Sequence, residues 1–272
     1  MVSVHVIACL HEYDFLTDVL PRVSMKKSFP KQAGRLHSLF IILSSFWLMA
    51  DVCGRAILKS ISGTITRKWC DQSLQSWSKR MLKLLNIHCR IVNPHEVTIP
   101  KGRPTILMCN HASLFDIPLS LQVFPQASVR MLAKKELSRI PIMGKGMIAA
   151  EFPFIDRHNR RQAIQNLEHV KQLLESGIVM WIAPEGTRST TGKLGVFKKG
   201  GFITAIRTQA VIIPIGIRGA HHILPARSHH FCLGQQAELH IGKPIDAAKF
   251  SLDNKDELIQ TVHHAIEQLS GQ

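Results

Sequence analysis

His111 and Asp116, five positions apart, are the pair in this chain best suited to chemistry. They lie in Asn110-His111-Ala112-Ser113-Leu114-Phe115-Asp116, directly after Thr105-Ile106-Leu107-Met108-Cys109, an apolar run that reads as a buried strand. Ser113-x-x-Asp116 matches a helix-capping signature, with Ser113 as N-cap and Asp116 at the third helical position. On a continuous helix, residues five apart are separated by about 140° around the axis and would not meet. At a strand–turn–helix corner they can. A histidine oriented by a carboxylate is a minimal general base, because the carboxylate holds one ring nitrogen and the other takes a proton. The plainer reading of the same heptapeptide is a capping aspartate and a solvated turn histidine.

Three later blocks also join apolar runs to polar residues. Phe154-Ile155-Asp156-Arg157 closes a second run, and Ile212-Ile213-Pro214-Ile215 lies in a fourth. Between them, Ala183-Pro184-Glu185-Gly186-Thr187-Arg188-Ser189 follows Ile178-Val179-Met180-Trp181-Ile182. Arg188 offers a planar, charged fork suited to a phosphate, and Gly186 lets backbone N–H groups approach an anion closely. Phe197-Lys198-Lys199-Gly200-Gly201 begins a predicted helix, where dipole, N–H groups and Lys198 reinforce one another. Lys134 and Lys135, just past a predicted strand, are further candidates. Taken singly, each of these cations except Arg188 reads more simply as a solvated surface charge.

In this order and spacing the four blocks resemble the motifs of the glycerolipid acyltransferases. They are similar in particular to the 1-acylglycerol-3-phosphate acyltransferases, which convert lysophosphatidic acid to phosphatidic acid. Ala183 departs from the pattern, since the family usually has an aromatic residue before Pro-Glu-Gly; this bears on acyl or acceptor preference rather than on the reaction. The resemblance implies transfer of a fatty acyl group from a thioester to the sn-2 hydroxyl of lysophosphatidic acid, with His111 and Asp116 catalytic. It implies that Glu185 contacts a glycerol hydroxyl or fixes Arg188, and that Arg157 binds the acceptor. A lysine at Lys134 or Lys135 would share the phosphate with Arg188, and Asn110, Ser113 and Thr187 complete the expected substrate-binding set. The donor would be acyl-CoA or an acyl carrier protein thioester, with no cofactor and no metal. Alternatives are another lysolipid or glycerol 3-phosphate as acceptor, or a membrane-binding relative that does not catalyse.

In such a reaction His111 accepts the hydroxyl proton during attack and returns one to the departing thiolate, while Asp116 fixes its tautomer. General base action supplies about 10²–10⁴ in rate, so positioning and oxyanion stabilisation must supply the rest. The chain has no Gly-x-Ser-x-Gly elbow, which argues against a serine hydrolase.

A net charge of +15 over 272 residues calls for an anionic partner. No RNA-binding aromatic motif, zinc finger or basic-region heptad is present, so an anionic membrane surface is favoured over nucleic acid. The 6 cysteines form no Cys-x-x-Cys pair and read as reduced, mostly buried thiols. Among the 15 histidines, His221-His222, His229-His230 and His263-His264 are doublets whose side chains diverge, which makes them poor metal ligands.

The elements that must position these residues fall into two parts. Residues 1–30 read as a basic extension, and Met25 is an alternative start. Residues 31–86 form a membrane-associating helical motif. Its apolar segment, 36–50, is shorter than the roughly 20 residues a span requires. From Arg55 to Arg90, 8 Lys/Arg face one acid, Asp71, and apolar residues with two tryptophans recur at helical spacing, broken near Gly63. That composition suits an interfacial anchor at the cytoplasmic face of a bacterial inner membrane, with a single span as the alternative. Residues 87–272 alternate strands (87–93, 105–109, 129–133, 152–155, 178–183, 211–217, 237–242) with helices (113–123, 160–176, 198–208, 255–270). The fold class is α/β: a mixed, largely parallel sheet with helices on both faces, preceded by the helical motif. Sites in such sheets gather at strand carboxyl ends, which puts His111, Asp156 and Glu185 in one cleft.

Overall fold

Two long helices lead the described chain. The computed structural model describes residues 31–156 and 160–272, so the expectations for residues 1–30 and for Arg157 fall outside it. After a two-residue strand, β1 (Lys31–Gln32), come α1 (Arg35–Ile61) and α2 (Arg67–Leu84). The apolar segment expected to end at Ala50 is part of one 27-residue helix. Asp51 does not end it because its carboxylate is answered by Arg55 one turn on, at 2.5 Å, and by Arg80 of α2 at 3.6 Å. The break comes at Gly63, whose φ is +67°, and Thr66 then caps α2 by accepting the Trp69 N–H at 3.2 Å.

The helix α1 is long and apolar enough to cross a membrane. Its two halves differ. Leu36, Leu39, Phe40, Leu43, Phe46 and Trp47 recur at three- and four-residue steps and are exposed, whereas Val52, Cys53 and Ala56 are buried.

The remaining elements are β2 (His88–Val92), β3 (Thr105–Cys109), α3 (Asp116–Ser120), β4 (Val129–Met131), β5 (Ala133–Lys134), α4 (Met143–Ala149), β6 (Phe154–Ile155), α5 (Arg160–Glu175), β7 (Val179–Ile182), α6 (Lys199–Arg207), β8 (Val211–Arg218), α7 (Ala220–Ile223), β9 (Cys232–Leu233), β10 (Gln236–Ile241), β11 (Ile245–Asp246) and α8 (Lys255–Ser270). The sheet runs β2-β10-β8-β3-β7-β4, with β11 also on β8. The pairs β10–β8 and β11–β8 are antiparallel and the rest parallel.

Every residue of the central strand β3 is buried, as expected for a parallel strand covered on both faces. Leu107 and Cys109 point into the core shared with Trp77 of α2 and Leu119 of α3. Ile106 and Met108 point into the opposite core, with Leu174 of α5, Phe202 of α6 and Leu258, Val262 and Ile266 of α8. Pro214 is tolerated inside β8 because the β10 ladder stops there. Gly242 N–H donates to Pro214 O at 2.9 Å, and β11 resumes pairing only at Ile212 and Val211.

Two arginines dock the helical pair onto the sheet. Arg130 of β4 is fully buried: its guanidinium donates to Asp71 of α2 at 2.7 Å and to Ala150 O, just after α4, at 2.6 Å. Arg67 of α2 forks onto Glu151 at 2.8 and 2.5 Å.

Candidate active site

The site is built where β3 runs out. Main-chain pairing of β3 with β8 ends at Cys109↔Ile215, and the side chain of Asn110 extends it. Its amide donates to Ile217 O at 2.9 Å and accepts Ile217 N–H at 2.7 Å. Asn110 is buried, and these two bonds anchor the strand end.

The chain then turns over Ala112–Phe115, and α3 begins at Asp116 itself. The capping prediction is corrected on two points. Asp116 is the first helical residue, and Ser113 lies a turn earlier with its hydroxyl donating to Leu224 O at 2.9 Å and accepting Phe115 N–H at 3.2 Å. Ser113 is fully buried and braces the turn; it does not reach the cavity. One half of the capping box survives. Asp116 Oδ2 reaches back to the N–H groups of Ala112 and Ser113, at 2.7 and 2.8 Å.

The same oxygen meets His111 Nδ1 at 2.7 Å. A carboxylate already receiving two N–H bonds is held as an acceptor, so Nδ1 carries the proton and Nε2 is the ring's free basic nitrogen. Asp116 is 1% exposed, whereas the His111 side chain is 15% exposed. The aspartate is therefore enclosed behind a histidine that reaches the cavity.

The loop after β7 frames the histidine. Gly186, at φ +74°, closes a turn by donating its N–H to Ala183 O at 3.0 Å. Glu185 Oε1 accepts His111 N–H and Oε2 accepts Gly195 N–H, both at 2.8 Å. Ser189 N–H donates to His111 O at 2.7 Å. Each Glu185 oxygen thus braces a backbone N–H, while the side chain also lines the cavity. Burial pushes its carboxyl above the usual range, and the N–H bonds from His111 and Gly195 pull the other way.

A cavity of about 1020 Å³ opens beside this corner, between the sheet and the α1–α2 pair. His111, Lys134, Gly186, Thr187, Arg188 and Lys198 reach it, and Glu185 and Asp156 line it as well. Lys135 is not among the lining residues; its ammonium pairs with Asp156, which is, at 3.2 Å. The apolar wall comes from α1 (Met49, Val52), α2 (Leu74, Trp77) and α4 (Met147). Sequence reasoning missed these contributions, as it missed Gly195 and Trp181. The Trp181 ring lies edge-to-face with the imidazole at 5.7 Å and 84°. Its signal was a tryptophan in the strand before Pro-Glu-Gly. Among the described residues, no group of three or more His, Cys, Asp or Glu could hold a metal ion.

The chain is similar to known proteins. A family model described as "Acyltransferase" matches residues 91–218. The 1-acyl-sn-glycerol-3-phosphate acyltransferase of Cocos nucifera is 39% identical over 43% of this chain and 38% of its own length. A putative 1-acyl-sn-glycerol-3-phosphate acyltransferase of Caenorhabditis elegans is 28% identical over 65% of this chain and 62% of its own. The chain therefore spans less than two thirds of the length of these two relatives. An uncharacterized acyltransferase of Schizosaccharomyces pombe is 30% identical over 85% of this chain and 80% of its own length. The crystal structure of PlsC, the 1-acyl-sn-glycerophosphate acyltransferase of Thermotoga maritima, superposes with a TM-score of 0.70 at 27% identity, covering 87% of this chain and 94% of that one. From the family model and the match to the Schizosaccharomyces pombe acyltransferase, the chain belongs to the acyltransferase family.

Proposed function

We propose that this protein transfers a fatty acyl group from a thioester to the free sn-2 hydroxyl of lysophosphatidic acid, giving phosphatidic acid. The observation that carries the reading is the His111–Asp116 pair at 2.7 Å on the wall of an apolar cavity that also presents Arg188, Lys134 and Lys198. Relatives named for this reaction support it. His111 Nε2 takes the hydroxyl proton as the oxygen attacks the thioester carbonyl. The tetrahedral oxyanion then collapses, the C–S bond breaks, and the imidazolium returns the proton to the thiolate. Asp116 steadies the imidazolium throughout. Arg188, with Lys134 and Lys198, receives the phosphate, Gly186 and Thr187 shape the turn beside it, and the apolar wall takes hydrocarbon. The donor is an acyl-CoA or acyl carrier protein thioester.

The protein works at a membrane, on its cytoplasmic face. Residues 35–50 of α1 span about 24 Å at 1.5 Å per residue, less than a hydrocarbon core of about 30 Å. Beyond residue 50, α1 packs on the protein at Val52, Cys53 and Ala56, and only Leu58 and Ile61 are large apolar residues left exposed there. Attachment to one leaflet through the exposed face of Leu36 to Trp47 therefore fits better than a span, with the surplus of cations facing anionic headgroups.

The test is turnover by purified protein on vesicles, read as thiol release together with the lipid formed, for lysophosphatidic acid and for a lysolipid without a free phosphate. Phosphatidic acid as the main product is expected. A preference for the phosphate-free acceptor would overturn the assignment.

A further inference from the structure

The hydrogen bond to Asp116 holds the His111 ring at one atom, Nδ1. A second contact comes from Trp181. This residue sits on β7 opposite Leu107 of β3, and its side chain enters the same core as Leu107 and Cys109. From there the indole meets the imidazole at 5.7 Å and 84°.

Trp181 is itself held on several sides. It is 4% exposed, its indole Nε1 donates to Ser120 Oγ at 2.9 Å, and its backbone carbonyl accepts Leu132 N–H at 3.0 Å. Ser120 ends the helix that Asp116 begins. One short helix therefore supplies both supports of the ring: Asp116 directly, and Ser120 through the indole.

We propose that Trp181 is a positioning residue for His111, holding the imidazole so that Nδ1 stays on Asp116 while Nε2 remains available to the acceptor hydroxyl. The inference rests on the acyl-transfer reading.

The test compares Trp181→Phe, Trp181→Leu and Ser120→Ala with the wild type, in kcat, in KM for both substrates, and in ¹⁵N-histidine NMR of the His111 tautomer. Trp181→Leu should lower kcat by about tenfold or more, the scale of a slight misplacement of a reacting group, with both KM values nearly unchanged. Its His111 signals should pass from one tautomer to a mixture. Trp181→Phe keeps an aromatic ring and should recover most of kcat. Ser120→Ala leaves the indole in the core, guards against failure of the leucine variant to fold, and would overturn the proposal by unchanged kcat and tautomer. Ser120→Ala should fall between them. Unchanged kcat and an unchanged tautomer in folded Trp181→Leu and Trp181→Phe would overturn the proposal. So would a loss confined to KM, which is what a mere wall of the cavity would give. A wild type with no acyl transfer at all would instead defeat the proposed function, and the NMR comparison would still decide whether the indole orients the ring.

Discussion

Glu185 accepts the backbone N–H of His111 at 2.8 Å, so the loop that carries Arg188 also sets where the histidine stands. The opposite oxygen takes Gly195 N–H, and Ser189 N–H returns to His111 O. The two motif turns form one unit joined through the backbone. Glutamine at position 185 has one acceptor oxygen, and its NH₂ would face an N–H donor. Glu185→Gln should therefore lower kcat by about 10–100-fold, comparable to losing a positioning contact, with little change in KM for the acceptor. A rise in KM alone would return Glu185 to substrate binding.

Asn110 closes the ladder between β3 and β8 from its side chain. Asn110→Ala leaves the buried N–H and C=O of Ile217 without these partners. Unfolding by denaturant should show a loss of about 1–3 kcal/mol. Full stability with lost turnover would contradict the anchoring role.

The clamp between Arg67 and Glu151 predicts a pH dependence. The hydrogen bond from Arg67 holds the Glu151 carboxyl below its ordinary value of 4.5. A depressed carboxylate contributes stability that is fully present above pH 4.5 and is lost as pH falls through the lower folded value. The pair is partly open to solvent, so its worth is about 1 kcal/mol or less. Melting temperatures of the wild type and Arg67→Gln should differ at neutral pH and converge below pH 4.5. A difference that persists undiminished in acid would assign the effect of Arg67 to packing or to its bond with Ser176.

Arg188 is expected to read the acceptor phosphate. Arg188→Ala should reduce kcat/KM for lysophosphatidic acid by about 10–100-fold or more, and Arg188→Lys should remain impaired because the ammonium lacks the planar fork. A phosphate-free lysolipid should be affected far less. Equal losses on both acceptors would make Arg188 a support of the fold or of the thioester.

Much of this architecture is legible in the sequence, and the exceptions have a common cause. The apolar runs at 105–109, 178–182 and 211–217 announce buried parallel strands, and the polar residues after them announce a cleft at their carboxyl ends. Such features are local. The bracing by Asn110, Ser113 and Glu185 was not foreseen because their partners are backbone groups far along the chain: Ile217, Leu224, and the N–H groups of His111 and Gly195. Side-chain chemistry read in sequence does not reveal such demand. The continuation of α1 past Asp51 was hidden in the same way, since Arg80 belongs to the next helix. The helix α4 was not foreseen; two glycines in its seven residues weaken the helical signal. Gly146 is there because α4 lies directly on α1; a Cβ at this position would meet Cys53 Cβ at 2.4 Å.

The central claim is that His111, oriented by Asp116, is the base for acyl transfer to lysophosphatidic acid. It is tested most directly by thiol release and phosphatidic acid formation from purified wild type, His111→Ala and Asp116→Asn on vesicles, with folding checked by melting. His111→Ala should lower kcat by about 10²-fold or more, and Asp116→Asn should also lower it by leaving the imidazole in the poorer tautomer. Near wild-type turnover in folded His111→Ala would contradict the account.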